Sequence, residues 1–209
     1  MRALIRGMDA LIRRVGGVFE FSTHPDCILR LQIARARHPF SLADGMNVQR
    51  DDPLLLLHLW NERVPPFDPT GPDLAWATQA YRMFRTSLGE AARWLEGQSD
   101  RIGVRAVGGA TILAFSGETG AGAKVLKRLG FELFPYHNPV GRFGEFWENL
   151  YTLALMWAYN PTSVRHRSLS RTRRTEMWMS ARQFLARYGS HRGHFTFGGK
   201  GRSSIEAAE

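Results

Sequence analysis

The chain has 209 residues, of which 44% are hydrophobic, a formal net charge of +9 and one cysteine. This length and composition allow a single domain with a buried core. A lone cysteine excludes an intramolecular disulfide, and the sequence contains no Cys/His cluster of the kind that holds structural zinc. The longest apolar run, Leu150 to Tyr159, is about half of the roughly 20 residues that a membrane-spanning helix needs. We therefore expect a cytoplasmic protein without metal or cofactor.

The first predicted element is an amphipathic basic helix. Apolar residues recur with a helical period from Leu4 to Val15, while arginines and Asp9 occupy the other side. Such a helix can lie in a membrane interface. Packing of the apolar side onto the protein's own sheet is the commoner arrangement and is favoured here, while the membrane interface stays open as the alternative.

Two strands are predicted next. Residues 27–37 alternate imperfectly, which favours a strand, and Asp44-Gly45 supplies a turn. The run from Leu54 to Trp60 is apolar on both faces except for His58, as is typical of a central strand covered from both sides.

The remaining elements are predicted from apolar residues at helical spacing, from glycines that end helices and from short apolar runs. They are a helix from Asp73 to about Gly97, strands at Ile102–Val107 and Thr111–Phe115 with a kink at Gly108-Gly109, a helix at Ala121–Leu129, a strand at Phe131–Tyr136, and helices at Phe143–Tyr159 and Arg171–Tyr188. We predict an α+β fold, a single domain with a central mixed or antiparallel sheet covered by helices. It comprises residues 1–159, followed by an arginine-rich helical extension at 160–188 and a disordered tail at 189–209.

The positive charge is concentrated near the C-terminus. Residues 1–159 have a net charge of +2, whereas residues 160–209 have a net charge of +7. Within the second region the candidate anion-binding residues are Arg165, Arg167, Arg171, Arg173 and Arg174. An excess of arginines this large indicates an anionic partner. Anionic lipid is favoured over nucleic acid, because the sequence has no recognised nucleic-acid-binding motif.

Three stretches together carry a family resemblance. They are Asp44-Gly45 with Asp51-Asp52-Pro53 and the strand ending His58-Leu59-Trp60-Asn61, then Val107-Gly108-Gly109-Ala110-Thr111, and then Lys127-Arg128-Leu129-Gly130-Phe131-Glu132. Residues 1–140 thereby resemble the YkoP-like domain family. Members of that family occur alone and with polysaccharide deacetylases. The resemblance therefore implies a link to cell-envelope glycan or lipid metabolism, with a polysaccharide-modifying enzyme as one partner.

His58 is the candidate catalytic residue, because it lies among leucines near a strand end, where ligands often bind. There it can act as a general base or bind a sugar or headgroup. The alternative is a buried neutral imidazole bonded to the backbone. The candidate ligand-binding residues are Asn61, Glu62, Asp44, Gly108 and Gly109.

These features support three hypotheses. The first is an accessory protein of cell-envelope lipid or glycan metabolism, which binds an anionic lipid or lipid-linked glycan at the inner face of the cytoplasmic membrane. The second is an acyl- or glycosyl-transferase that uses His58 as its base. The third is non-specific nucleic-acid binding. The apolar helix at Phe143–Tyr159 also suits a core or a homodimer interface.

Overall fold

A computed structural model describes residues 1–66, 71, 73–112, 120–136, 138, 140–159 and 174–190. Within these residues, no helix combines the length and the apolar character needed to cross a bilayer. The predicted disordered tail, apart from its first two residues, lies outside the described part of the chain. Most of the predicted strand at 111–115 lies outside it as well.

The described residues form six helices and seven strands. The helices are α1 (Arg2–Gly16), α2 (Leu74–Glu96), α3 (Ser99–Ile102), α4 (Ala121–Arg128), α5 (Gly141–Tyr159) and α6 (Ala181–Tyr188). The strands are β1 (Leu29–Arg35), β2 (Phe40–Ser41), β3 (Asn47–Val48), β4 (Pro53–Leu59), β5 (Ala106–Thr111), β6 (Glu132–Pro135) and β7 (Thr175–Ser180).

Five strands make one mixed sheet in the order β1-β4-β5-β7-β6. Strands β4 and β5 run parallel, and the other neighbouring pairs are antiparallel. Strands β2 and β3 form a separate two-stranded hairpin. The predicted α+β fold with a mixed sheet is confirmed, although β5, rather than β4, is the middle strand.

Helices cover one face of the sheet. Leu88 and Leu95 of α2, Leu126 of α4 and Phe184 of α6 pack there against the strands, and all four are buried. On the other face, the β2–β3 hairpin covers a smaller cluster that includes Trp178. Helices α1 and α5, which pack against each other, attach near the end of the sheet where β4 finishes.

The predicted kink at Gly108-Gly109 is wrong, because β5 runs unbroken through both residues. A Cβ atom at Gly108 would collide with the carbonyl oxygen of Met177 and press on the Trp178 ring. Gly109 has a φ of 140°, which side-chain-bearing residues rarely adopt. Gly108 therefore allows β7 to lie close to the middle strand, and Gly109 gives the strand a backbone conformation that other residues rarely adopt.

The single helix predicted at Arg171–Tyr188 is also wrong. Its described part is a strand, β7, followed by the short helix α6. Met177, Trp178 and Met179 are all buried, so this run is covered on both faces of the sheet. Ser180 then caps α6 by accepting a hydrogen bond from the Gln183 amide. Residues 174–188 belong to the sheet and its cover and are not a helical extension, while residues 160–173 lie outside the described chain.

Candidate functional site

Helix α1 has the reverse of the orientation expected for it. Its most apolar side carries Leu4, Met8, Leu11 and Val15, which we call the apolar row. These residues are 74%, 48%, 62% and 81% exposed, whereas Asp9 on the opposite side is 4% exposed. The expectation that the apolar side packs onto the protein's own sheet is therefore wrong. The helix instead places its polar side against the body of the protein.

The polar side of α1 is held by a hydrogen-bonded carboxylate. Asp9 accepts hydrogen bonds from the hydroxyls of Tyr151 (2.8 Å) and Tyr159 (3.2 Å), both on α5. It also forms an ion pair with Arg13 at 3.0 Å. Burial and the hydrogen bond to Asp9 raise the pKa of Tyr151 above its usual value, so this tyrosine keeps its proton. These partners stabilise a carboxylate that would be costly to bury alone.

The same network reaches the sheet. Arg13 contacts Glu62 at 3.4 Å, and Glu62 receives two hydrogen bonds from Arg30 on β1. Arg30, whose side chain is only 5% exposed, also pairs with Glu20 and lies over the ring of Trp60. Burial tends to raise the pKa of Glu62, but the hydrogen bond and charge of Arg30, a backbone hydrogen bond and the charge of Arg13 outweigh it and lower the pKa. Glu62 thus stays ionised and acts as an ion-pair partner.

Helix α5 carries a second exposed apolar face. Phe143, Phe146, Trp147 and Leu150, which we call the α5 apolar face, are 67%, 50%, 52% and 37% exposed. They are spaced like the anchors of a helix that docks its apolar side onto another surface. Two adjacent helices thus leave large apolar side chains uncovered by the described chain, and extensive exposed apolar surface marks sites of interaction.

Helix α1 also carries exposed arginines outside its apolar row. Arg2, Arg6 and Arg14 are exposed, and no other described residue forms an ion pair with them within 4.0 Å. The guanidinium of Arg2 lies over the Trp157 ring and that of Arg6 over the Tyr159 ring, each 5.1 Å from the ring centroid. The exposed surface of α1 therefore combines apolar side chains with uncompensated positive charge.

The arginine-rich segment at 160–173 is attached to α5 at both ends. Tyr159 ends α5, and Arg174, where the described chain resumes, donates hydrogen bonds to the Glu148 carbonyl and to Asn149 and Thr152. Of the predicted anion-binding residues, Arg174 is thus occupied inside the protein, with its side chain 15% exposed. The other four, Arg165, Arg167, Arg171 and Arg173, lie outside the described residues.

His58 links the sheet to α1. Its Nε2 lies 2.8 Å from Oε1 of Gln32, and the amide nitrogen of Gln32 donates to the carbonyl of Gly16 at the end of α1. Because the amide nitrogen faces a carbonyl, the amide oxygen must face His58, which therefore donates from Nε2. Burial lowers the pKa of His58 and favours the neutral ring. This arrangement gives His58 a positioning role and offers the transferase hypothesis no specific support.

The predicted ligand-binding residues do not come together. Asn61 and Glu62 lie in the turn after β4, close to His58 in the chain. Asp44 instead accepts a hydrogen bond from Ser180 at 2.6 Å, at the end of the sheet where β4 begins. Burial opposes the ionisation of Asp44, but hydrogen bonds from Ser180, the Met46 amide and Arg182 lower its pKa.

Gly108 and Gly109 are buried in the middle strand, where Gly108 leaves room for β7 and Gly109 lies beside Leu57 of β4. Along β4, the His58 end and the Asp44 end are separated by four residues, or about 13 Å. Within the described chain, no group of three or more His, Cys, Asp or Glu side chains is arranged to hold a metal ion.

The residues that sequence reasoning missed are Arg30, Glu20 and the buried role of Asp9. Arg30 stood within a predicted strand, but its partners are 10 and 32 residues away in the chain. Asp9 and Arg13 are one helical turn apart, which was a usable signal of an ion pair. That signal did not reveal which side of the helix is buried.

Comparison with known protein families places all of the described strands and helices within one domain. The model of the YkoP domain matches residues 1–188, and so takes in β7 and α6 beyond the stretches that carry the sequence resemblance. No curated protein and no solved structure matches the chain. With nine-tenths of its length covered by that one model, the chain belongs to the YkoP domain family.

Proposed function

We propose that this protein binds the surface of an anionic membrane through the apolar row of α1, with the α5 apolar face as a second contact. The orientation of α1 is the observation that carries the proposal. A helix that buries Asp9 and exposes Leu4, Leu11 and Val15 has the arrangement of an interfacial helix whose polar side carries the rest of the protein.

Charge favours an anionic surface. The one acid of α1, Asp9, is buried and paired, so the exposed charges of the helix are arginines. Each basic residue close to an anionic leaflet contributes about 1 kcal/mol of attraction. The segment 160–173 adds four arginines and no acid, and both of its ends are attached to α5. The positive charge and the exposed apolar surface therefore both favour an anionic lipid surface over a neutral partner.

A membrane suits these faces better than a second copy of the chain does. A second copy that docked through α1 would place the exposed arginines of two α1 helices near one another, and like charges repel. An anionic leaflet instead attracts those arginines. On this proposal the protein is an accessory component of cell-envelope lipid or glycan metabolism at the inner membrane face.

Vesicle flotation tests the proposal. We expect the protein to float with phosphatidylcholine vesicles that contain phosphatidylglycerol and to remain below those of pure phosphatidylcholine. The double variant Leu4→Ser/Leu11→Ser should lose flotation. The matched control is Leu74→Ser on α2, where the leucine is 84% exposed, and it should float like the wild type.

Two results would contradict membrane binding. One is equal flotation, or none, with the two vesicle types. The other is a concentration-dependent dimer, seen by sedimentation equilibrium, that the Leu4→Ser/Leu11→Ser variant abolishes. That dimer would assign the apolar row to a second copy of the chain.

A further inference from the structure

Arg2 and Arg6 of α1 each contact an aromatic ring of α5. They lie one helical turn apart on α1, so their side chains are neighbours on its surface. The guanidinium carbon of each lies over an aromatic ring of α5, 5.1 Å from its centroid, Trp157 for Arg2 and Tyr159 for Arg6. Arg6 also donates one hydrogen bond, of 2.9 Å, to the carbonyl of Ala158.

A guanidinium that lies over an aromatic ring uses its face in that contact and keeps the N–H groups at its edge. Those edge groups match the oxygens of a phosphate and bind it in a bidentate manner. The ring also restricts the arginine side chain before the ligand arrives, so less conformational entropy is lost on binding. Two such arginines, four residues apart on one helix, offer N–H donors from which a phosphate can be bound.

We infer that Arg2 and Arg6 bind the terminal phosphate of a lipid headgroup, and this inference rests on the proposed membrane binding. A phosphomonoester carries between one and two negative charges near neutral pH and three acceptor oxygens. It therefore matches two guanidinium groups in both charge and number of acceptors. A phosphodiester lipid such as phosphatidylglycerol offers one charge and fewer free oxygens. The ligand class is thus a lipid with an exposed phosphomonoester.

The position of the two arginines suits this ligand. Trp157 follows Leu150 and Phe143 at intervals of seven residues, so it continues the line of the α5 apolar face. Trp and Tyr side chains are favoured at the boundary between acyl chains and headgroups. Arg2 over Trp157 would therefore lie at headgroup depth when the α5 apolar face contacts lipid.

The test compares vesicles of phosphatidic acid with vesicles of phosphatidylglycerol at matched zeta potential. We expect the wild type to bind the phosphatidic acid vesicles about ten- to a hundredfold more tightly, as one additional charge-assisted hydrogen bond would give. Arg2→Lys/Arg6→Lys keeps the charge but loses the planar fork, so it should bind both vesicles with equal affinity. Arg14→Lys, at an exposed arginine on the same helix, should keep the preference. Glycerol 3-phosphate should not compete at millimolar concentration if the bilayer is the source of the ligand.

The outcomes separate this inference from the proposed function. Equal affinity of the wild type for the two vesicles, or a preference that survives in Arg2→Lys/Arg6→Lys, would overturn the phosphate site and leave membrane binding intact. Competition by glycerol 3-phosphate would overturn the lipid source. Failure to bind either vesicle would overturn the proposed function itself.

Discussion

Helices α1 and α2 are both amphipathic, yet they are buried in opposite ways. Helix α2 places Leu88, Ala91 and Leu95 in the core against the sheet. Helix α1 buries Asp9 and leaves its apolar row exposed. The apolar period of a helix therefore indicates that one of its sides is covered by a non-aqueous surface. It does not identify that surface. In α2 that surface is the protein, and in α1 we propose that it is lipid.

Truncating a leucine on each helix gives the largest contrast. Leu88→Ala should lower the free energy of unfolding by about 2–5 kcal/mol, because it leaves a cavity in the core. Leu11→Ala should change it by no more than about 0.5 kcal/mol, because that side chain is 62% exposed. Urea unfolding of both variants makes the measurement. Similar losses would mean that the protein itself covers the apolar row in solution.

Removing the buried charge of α1 should have the next largest effect. Asp9→Asn keeps the shape of the side chain but removes the ion pair with Arg13 and weakens the hydrogen bonds from Tyr151 and Tyr159. We expect a loss of about 1–3 kcal/mol, together with faster hydrogen exchange in α1 than in α2. The control is Arg14→Gln, which changes an exposed charge on the same helix. If Asp9→Asn and Arg14→Gln were equally mild, the polar side of α1 would not be what holds it to α5.

The smallest predicted effect is a pH dependence at the His58–Gln32 link. Burial lowers the pKa of His58 in the folded protein below its ordinary value of 6.5. Between that ordinary value and the lower folded value, the unfolded chain binds more protons at this residue, so stability is lost as the pH falls. The difference in unfolding free energy between the wild type and His58→Gln should therefore shrink from pH 7.5 to pH 5.5. A difference that grew as the pH fell would contradict the assignment of a buried neutral ring.

Local pattern was enough to predict much of the fold. The 3.6-residue period located α1, α2 and α5, and the apolar run at Leu54–Trp60 located β4. The pattern failed at Met177-Trp178-Met179, because a short run of large apolar residues suits a buried helix and a doubly covered strand equally well. Pairing of β7 with both β5 and β6 is a long-range choice that the run itself does not contain.

The candidate site was less predictable for the same reason. The arginines near Leu4 and Leu11 were visible in the sequence, and so was the possibility of an interfacial helix. The side of α1 that is buried depends on Tyr151 and Tyr159, which are more than 140 residues away. Sequence spacing did not show how far the predicted ligand-binding residue Asp44 lies from His58, and the structure holds Asp44 at Ser180.

A fluorescent reporter on the apolar row tests most directly whether α1 enters the membrane surface. Cys27 is fully buried, so a cysteine introduced at Leu11→Cys can be labelled selectively with an environment-sensitive dye. Membrane binding through α1 predicts a blue shift on anionic vesicles and quenching by nitroxide-labelled acyl chains, whereas a dye at Leu74→Cys on α2 shows neither. Emission at position 11 that stays characteristic of water on anionic vesicles, or equal shifts at positions 11 and 74, would contradict binding through the apolar row.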